Sequence, residues 1–153
     1  MALLRESKRA IESVDRGATV VLAALADASW KVLTQLYRAG VRRNFDVATI
    51  NIFTSRPGFV MAASRLVRRV LRREHEPRKP IRVTETTFPA GKGRVSRPSL
   101  SWQRDWYTTD RGMASRLGRL YRLGARNRRR RGLARIYWYT WASTYSGQDN
   151  LFD

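Results

Sequence analysis

The chain has 153 residues, of which 42% are hydrophobic and 10% aromatic, so it is long enough for one domain with a core and is not disordered by composition. It has no cysteine and a single histidine, His75, which excludes disulfides and thiolate metal sites and argues against a histidine metal cluster or a Ser-His-Asp triad. The formal net charge is +19, and we expect nonspecific binding to polyanions at low salt.

The N-terminal half of the chain alternates between two kinds of apolar pattern. Residues 3–14 have the spacing of a short helix, and residues 19–26 are a continuous apolar run of strand length. Such a run is typical of a parallel strand that is buried on both faces. Residues 29–39 return to helical spacing, and residues 45–54 predict a second strand.

The C-terminal half continues the alternation. Residues 59–74 predict the clearest helix, with an inward stripe that starts at Phe59, and residues 81–86 predict a third strand. A long loop over 87–108 leads to a helix over 110–128 and a fourth strand over 134–142.

This order of elements predicts one α/β domain over residues 1–153, with a parallel sheet of about four strands joined by crossover helices. We place the strands near 19–25, 45–53, 81–85 and 134–141. No apolar run reaches the length of a membrane helix, and no signal segment is visible, so we expect no membrane partner, while the sequence leaves the localisation open.

The carboxyl ends of the predicted strands carry the residues with the clearest chemistry. Ligands of parallel α/β folds bind at these ends, where amide, carboxylate and aromatic side chains converge. Such a rim favours a carbohydrate, because aromatic rings stack on sugars and amides bind hydroxyl groups. No glycine-rich phosphate loop follows a strand, so a nucleotide site is poorly supported, and no metal or organic cofactor is predicted. The candidate residues are Glu85, with Asn51, Phe53, Tyr139 and Trp141 as sugar contacts and Trp102 and Trp106 as weaker ones.

Four stretches together resemble the C-terminal half of a clan A glycoside hydrolase, a (β/α)8 barrel, and in particular its family 39-like and cellulase-like bacterial members. They are "VVLAALADASWKVLTQLYRAG", "FDVATINIFT", "PIRVTETTFPAGKG" and "IYWYTWAS", which match strands five to eight in order. In "FDVATINIFT", Asn51 and Phe53 stand where the family commonly has His and Tyr.

The resemblance implies a retaining glycosidase mechanism with Glu85 as the nucleophile. In the family the acid/base carboxyl group ends strand four in an Asn-Glu pair, and this sequence contains no such pair. The resemblance therefore implies a fragment that lacks the acid/base, so that activity of the chain alone is uncertain. A second chain or a homodimer would complete the barrel, and an extracellular or cell-envelope location is implied by the family.

Two simpler interpretations stay open. Glu85 could be an ordinary carboxylate that pairs with Arg82, Lys92 or Arg94. The whole chain could instead be a non-catalytic basic protein that binds nucleic acid or another anionic polymer through the arginine run at 126–135. The same run also suits the C-terminal end of a helix, where arginine interacts favourably with the dipole.

Overall fold

The structure is a computed structural model that describes residues 2–26, 28–92 and 106–139. Within these ranges the chain forms a parallel sheet with helices between its strands. The elements in chain order are α1 Ala2–Val14, α2 Ser29–Arg38, β1 Ala48–Phe53, α3 Pro57–Arg73, β2 Ile81–Thr87, α4 Asp110–Arg131 and β3 Leu133–Ile136.

The sheet has the order β1-β2-β3, and both pairings are parallel, which confirms the predicted α/β class. The predicted first strand is not a regular strand. Residues 20–26 run beside β1 and join it only through isolated parallel bridges, at Val21 with Val47 and at Ala26 with Asn51. The predicted fourth strand is shorter than expected, because β3 ends at Ile136.

The hydrophobic core lies between the sheet and the helices. Ile50 and Ile52 of β1 and Ile81 and Val83 of β2 are fully or almost fully buried. Side chains from all three later helices pack against them: Leu33, Val60, Val67, Leu71 and Leu120. Since side chains alternate along a strand, the residues between these positions face the other side of the sheet, where the candidate site lies.

Two predictions of burial were wrong. The run at 19–26 alternates instead of being buried on both faces, since Val20 and Leu22 are buried while Val21 is 38% exposed. Phe59 was expected in the core but is 46% exposed, because it lines a cleft between α3 and α4 instead of facing the sheet. In α1, Val14 is 90% exposed and contributes nothing to the core.

Arg68 fastens α3 to the turn between α4 and β3. Its side chain is buried, and its guanidinium donates to the carbonyl oxygens of Pro77 at 2.6 Å, Lys79 at 2.7 Å and Arg131 at 2.8 Å, with a longer bond to Gly132 at 3.3 Å. Burial, followed by the charge of Arg72, lowers the pKa of Arg68. One side chain thus satisfies carbonyl groups from two separate chain reversals.

Glycines allow α4 and β3 to pack closely. Gly132 ends α4 in the left-handed conformation, with φ 61°, and a Cβ there would lie 2.1 Å from Nη2 of Arg68. A Cβ on Gly124 would lie 2.6 Å from Cδ1 of Ile136 in β3. Both positions therefore need the absence of a side chain.

Asp46 joins α1 to the start of β1, at the end of the sheet opposite the candidate site. Its carboxylate accepts from Nζ of Lys8 at 2.8 Å and from the backbone N–H of Val20 at 2.8 Å. Burial acts to raise the pKa of Asp46, but these two hydrogen bonds and the charges of Lys8 and Lys79 outweigh it, so that the pKa lies below its usual value.

No helix within residues 2–26, 28–92 and 106–139 combines the length and the hydropathy needed to cross a membrane.

Candidate functional site

Asn51 and Glu85 are direct neighbours on adjacent strands. The pairing of β1 with β2 runs from Ala48 opposite Ile81 to Phe53 opposite Thr87, and it is shifted by one residue in the middle. The shift makes Thr84 an extra residue on β2 and sets Asn51 opposite Glu85. In a parallel pair, residues in register point to the same face, so the amide and the carboxylate emerge side by side.

Thr84 holds the amide of Asn51 in place. Its hydroxyl donates to Oδ1 of Asn51 at 2.7 Å and lies 3.3 Å from the carbonyl oxygen of Ile50. This bond uses one of the two lone pairs of Oδ1 and orients the amide, so that its NH2 group can donate to a ligand hydroxyl. The sequence prediction did not include Thr84, and the "VTET" pattern alone does not show which of its polar residues reaches Asn51.

Phe53 and Tyr139 form an aromatic pair on the same part of the sheet. Their ring centroids are 6.5 Å apart, and the rings are inclined at 77° in an edge-to-face arrangement. The N–H of Tyr139 donates to the carbonyl oxygen of Thr86 at 3.0 Å, so the pairing with β2 continues beyond β3 and brings Tyr139 beside the strand of Glu85. The pair lies two residues farther along the strands than Asn51 and Glu85, which is about 7 Å.

The Glu85 carboxylate is half-buried and has no hydrogen bond or ion pair in the part of the chain that the structure describes. The predicted alternative of an ion pair with Arg82 or Lys92 is therefore not found, while Arg94 lies outside the described residues. Its two oxygens can therefore accept hydrogen bonds from a ligand.

The other described carboxylates do not supply a second acid at the site. They lie on α1 and just after it, at the amino end of β1, at the C-terminal end of α3 and at the first position of α4, so none ends a strand. Among the described residues, no group of three or more His, Asp or Glu side chains could hold a metal ion.

The remaining predicted sugar contacts do not join this group. Trp106 is only 1% exposed, and its Nε1 is buried without a hydrogen-bond partner among the described residues, so the structure places the ring in the interior instead of at the surface. Trp102 and Trp141 lie outside the described residues. Of the seven predicted site residues, the structure brings together Asn51, Phe53, Glu85 and Tyr139.

The arginine run at 126–135 forms the C-terminal end of α4 and the turn into β3. Arg128 to Arg131 occupy the last helical turn, and Gly132 caps it, as the helix-end interpretation predicts. Burial, followed by the charges of Arg65 and Arg130, lowers the pKa of Arg131.

Comparisons with known proteins support the fold and leave the family open. No protein-family model and no curated protein matches the sequence. Among solved structures, a glucosidase from Croceicoccus marinus is similar, with a TM-score of 0.59 and 11% sequence identity over 89% of this chain. At this identity the similarity is one of fold. The chain spans about a quarter of that structure's length, since the match covers 27% of it.

Proposed function

We propose that this chain is a glycoside hydrolase-like protein in which Glu85 is the nucleophile of a retaining mechanism. The observation that carries the proposal is the pairing of Glu85 with Asn51 in one row of the sheet, followed by the rings of Phe53 and Tyr139 in the next. A sugar ring is bound and attacked by groups of this kind: an amide donor, an aromatic pair and a carboxylate that has no partner among the described residues. The similarity in fold to a glucosidase is consistent with this assignment.

In the proposed reaction, an oxygen of Glu85 attacks the anomeric carbon of the sugar while the bond to the leaving oxygen breaks. A second carboxyl group, about 5–5.5 Å away, gives its proton to the leaving oxygen. That group then takes a proton from water, whose oxygen displaces Glu85 and restores the free carboxylate. The amide NH2 of Asn51 would bind a hydroxyl next to the reacting carbon, and Phe53 with Tyr139 would stack on the ring.

We further propose that the described strands belong to one half of a (β/α)8 barrel. Residues 20–26, β1, β2 and β3 lie side by side and parallel, with helices on one face, as a segment of such a barrel requires. The second carboxyl group would then come from a polypeptide segment outside this sequence, because a second copy could close the barrel but contains no Asn-Glu pair.

The proposal is tested by labelling the purified chain with a panel of mechanism-based fluoroglycosides and cyclophellitol-type probes, followed by peptide mass spectrometry. Both reagent types trap the nucleophile as an ester. Fluoroglycosides with a good leaving group need little help from the acid group, whereas opening of the epoxide is assisted by it, so the fluoroglycosides are the decisive reagents for a chain that lacks the acid. Covalent label on Glu85, absent from the Glu85→Gln variant, is the expected result. Label on other carboxylates at equal rates, or none on Glu85 in a folded chain, would overturn the assignment.

A matched variant separates binding from chemistry. Asn51→Asp keeps the size of the side chain but replaces the donor NH2 group with an acceptor, and it sets a second carboxylate beside Glu85. We expect labelling to slow by about ten- to a hundredfold, the range for losing one or two hydrogen bonds to a bound sugar. An unchanged labelling rate in Asn51→Asp would show that Asn51 does not bind the sugar.

A further inference from the structure

A cleft of about 580 Å³ lies between the first turn of α3 and the first half of α4. Its volume is in the range of small-molecule sites, which is about 300–1,000 Å³. It does not involve Glu85 or its neighbours. Its walls come from the segment that follows β1 and from one side of α4: Ser55, Arg56, Pro57, Gly58, Phe59, Ala62, Ser115, Arg116 and Arg119.

Among the described residues, the charged side chains that line the cleft all have one sign: Arg56, Arg116 and Arg119. The helices behind it do not compensate, since α3 has no acidic residue and α4 has only Asp110, at its first position. Arg56 and Arg119 are exposed and form no salt bridge within the described residues, so their guanidinium groups are available to a ligand.

The uncapped start of α3 adds to this positive field. Arg56 is the N-cap residue, no side chain caps the helix, and no acidic residue lies in its first turn. Proline at the first helical position has no N–H, but that of Gly58 has no partner within the helix. The positive end of the helix dipole thus points into the same space as the arginine side chains.

Phe59 gives the cleft an aromatic wall. Its ring is 46% exposed although its position in the apolar stripe of α3 predicted burial. An exposed phenyl ring beside arginine side chains and the hydroxyl groups of Ser55 and Ser115 offers a stacking surface, anion ligands and hydrogen bonds together. These are the requirements of a ring that carries a negative group.

The cleft lies at the same end of the strands as the candidate site, but between the helices that cover the opposite face of the sheet. Ser55 follows Phe53 by two residues, so the cleft begins where β1 ends. A chain of sugars that is bound at Asn51 and Glu85 would have to pass around the end of β1 to reach Arg56. A longer, exposed arginine surface without a cleft would suit nucleic acid better, whereas a bounded cleft with one aromatic wall suits a single charged sugar.

We propose that this cleft is a subsite for an acidic sugar, so that the substrate is a glycan that carries carboxylate or sulfate groups. Arg56 and Arg119 bind the anionic group, and Phe59 stacks on its ring. This inference rests on the proposed function, because it takes the ligand of the cleft to be part of a carbohydrate substrate.

Gly58 allows a negative charge to be placed among the arginines of the cleft. A Cβ at this position meets no heavy atom within 4 Å, and its backbone is helical, so Gly58→Ala fits and the Cβ of Gly58→Glu does as well. A glutamate in the first turn also interacts favourably with the helix dipole, so the variant should be at least as stable as the wild type. Gly58→Ala is the matched control without the charge.

The test measures binding by titration calorimetry in 150 mM salt. At this concentration the Debye length is about 8 Å, which limits nonspecific attraction. The ligands are hexagalacturonate, its methyl ester with the same rings and no charge, a heparin-derived hexasaccharide and single-stranded DNA of equal charge. We expect at least one acidic hexasaccharide to bind at least tenfold more tightly than the methyl ester. Tighter binding of the carboxylate or of the sulfate ligand identifies which anion the cleft takes.

The variants locate that binding. Gly58→Glu should weaken it by tenfold or more relative to Gly58→Ala, Arg119→Gln by tenfold or more relative to the wild type, and Phe59→Ala by several-fold. Arg126→Gln, which removes an exposed arginine from α4 outside the cleft, is the control for total charge. Equal losses of binding in Arg126→Gln and Arg119→Gln would overturn the proposal. The same holds if the methyl ester binds as tightly as the acidic ligands, or if neither acidic ligand binds. Tighter binding of DNA that the same substitutions weaken would also overturn it.

Failure here and failure of the proposed function give different results. Labelling of Glu85 with neutral probes does not require the cleft, and calorimetry with these ligands does not require Glu85 to react. Label on Glu85 without selective binding of the acidic ligands would support the glycosidase proposal and refute the proposal of an acidic substrate. Binding in the cleft without label would assign it to a protein that holds acidic glycans, and the catalytic proposal would fall.

Discussion

Replacement of Arg68 by methionine tests whether one buried guanidinium holds α3 to the two turns beside it. Methionine keeps an apolar stem of similar length and removes the donors to Pro77, Lys79 and Arg131. Three hydrogen bonds from a charged donor, at about 1.5 kcal/mol each, sum to about 4.5 kcal/mol. Relief of the desolvation of the buried charge reduces the expected loss to about 3 kcal/mol.

The assay is urea unfolding of wild type and variant, followed by tryptophan fluorescence and far-ultraviolet circular dichroism. A loss of about 3 kcal/mol corresponds to a fall in Tm of roughly 6–12 °C for a domain of this size. Arg69→Met is the control, because Arg69 is the exposed neighbour on the same helix and its replacement should stay within about 0.5 kcal/mol. A loss below about 1 kcal/mol in Arg68→Met would refute the reasoning.

A double-mutant cycle sharpens this test. Gly132→Ala forces a left-handed alanine and a Cβ at 2.1 Å from Nη2 of Arg68, so it should destabilise the wild type by about 2 kcal/mol or more. In the Arg68→Met background the clash with the guanidinium is gone, and only the backbone cost of about 1 kcal/mol should remain. Equal costs of Gly132→Ala in the two backgrounds would show that the two residues do not interact.

Three further predictions concern packing, pH and the candidate site. Gly124→Ala should destabilise the wild type, because its Cβ meets Cδ1 of Ile136 at 2.6 Å. In an Ile136→Val background, which lacks that atom, the same change should stabilise the protein by up to about 1 kcal/mol through helix propensity. Chemical unfolding of the four proteins checks both signs. Because the pKa of Asp46 is lowered in the folded state, its carboxylate contributes stability above the unfolded pKa of about 3.9. This stability is lost as the pH falls through the folded pKa. Acidification below about pH 4 should therefore lower the Tm of Asp46→Asn less than it lowers that of the wild type. Glu85→Gln should leave the free energy of unfolding unchanged or raise it, because the carboxylate has no partner in the described residues, and a loss of more than about 1 kcal/mol would mean that Glu85 has a structural role.

The order of elements could be predicted from the sequence because each carries a strong local signal. The apolar stripe over 59–74 predicted α3, and the β-branched run at 81–83 predicted β2. The predicted ends of both elements lie within two residues of the observed ends. The prediction of a regular strand at 20–26 was wrong for a tertiary reason. The apolar composition of this segment suits a strand, but regular pairing also depends on the neighbouring strand, with which the segment makes only isolated bridges.

The candidate site was predictable in part. The strand-end rule located Asn51 and Glu85, and the register of β1 with β2 sets them side by side. The shift at Thr84 could not be predicted, because simple alternation turns Thr84 and Glu85 to opposite faces and gives no sign of an extra residue. Burial of Trp106 and exposure of Phe59 also escaped prediction, since both depend on which element covers the ring.

The helices α3 and α4 have a consequence for the solution behaviour of the protein. They carry five and nine arginines and a single carboxylate between them, and they lie next to each other. Folding therefore brings together arginines that are far apart in the unfolded chain, so the folded state binds more anions than the unfolded state. Anions that bind the folded state stabilise it by mass action. At equal ionic strength, sulfate or phosphate should therefore raise the midpoint of unfolding more than chloride does.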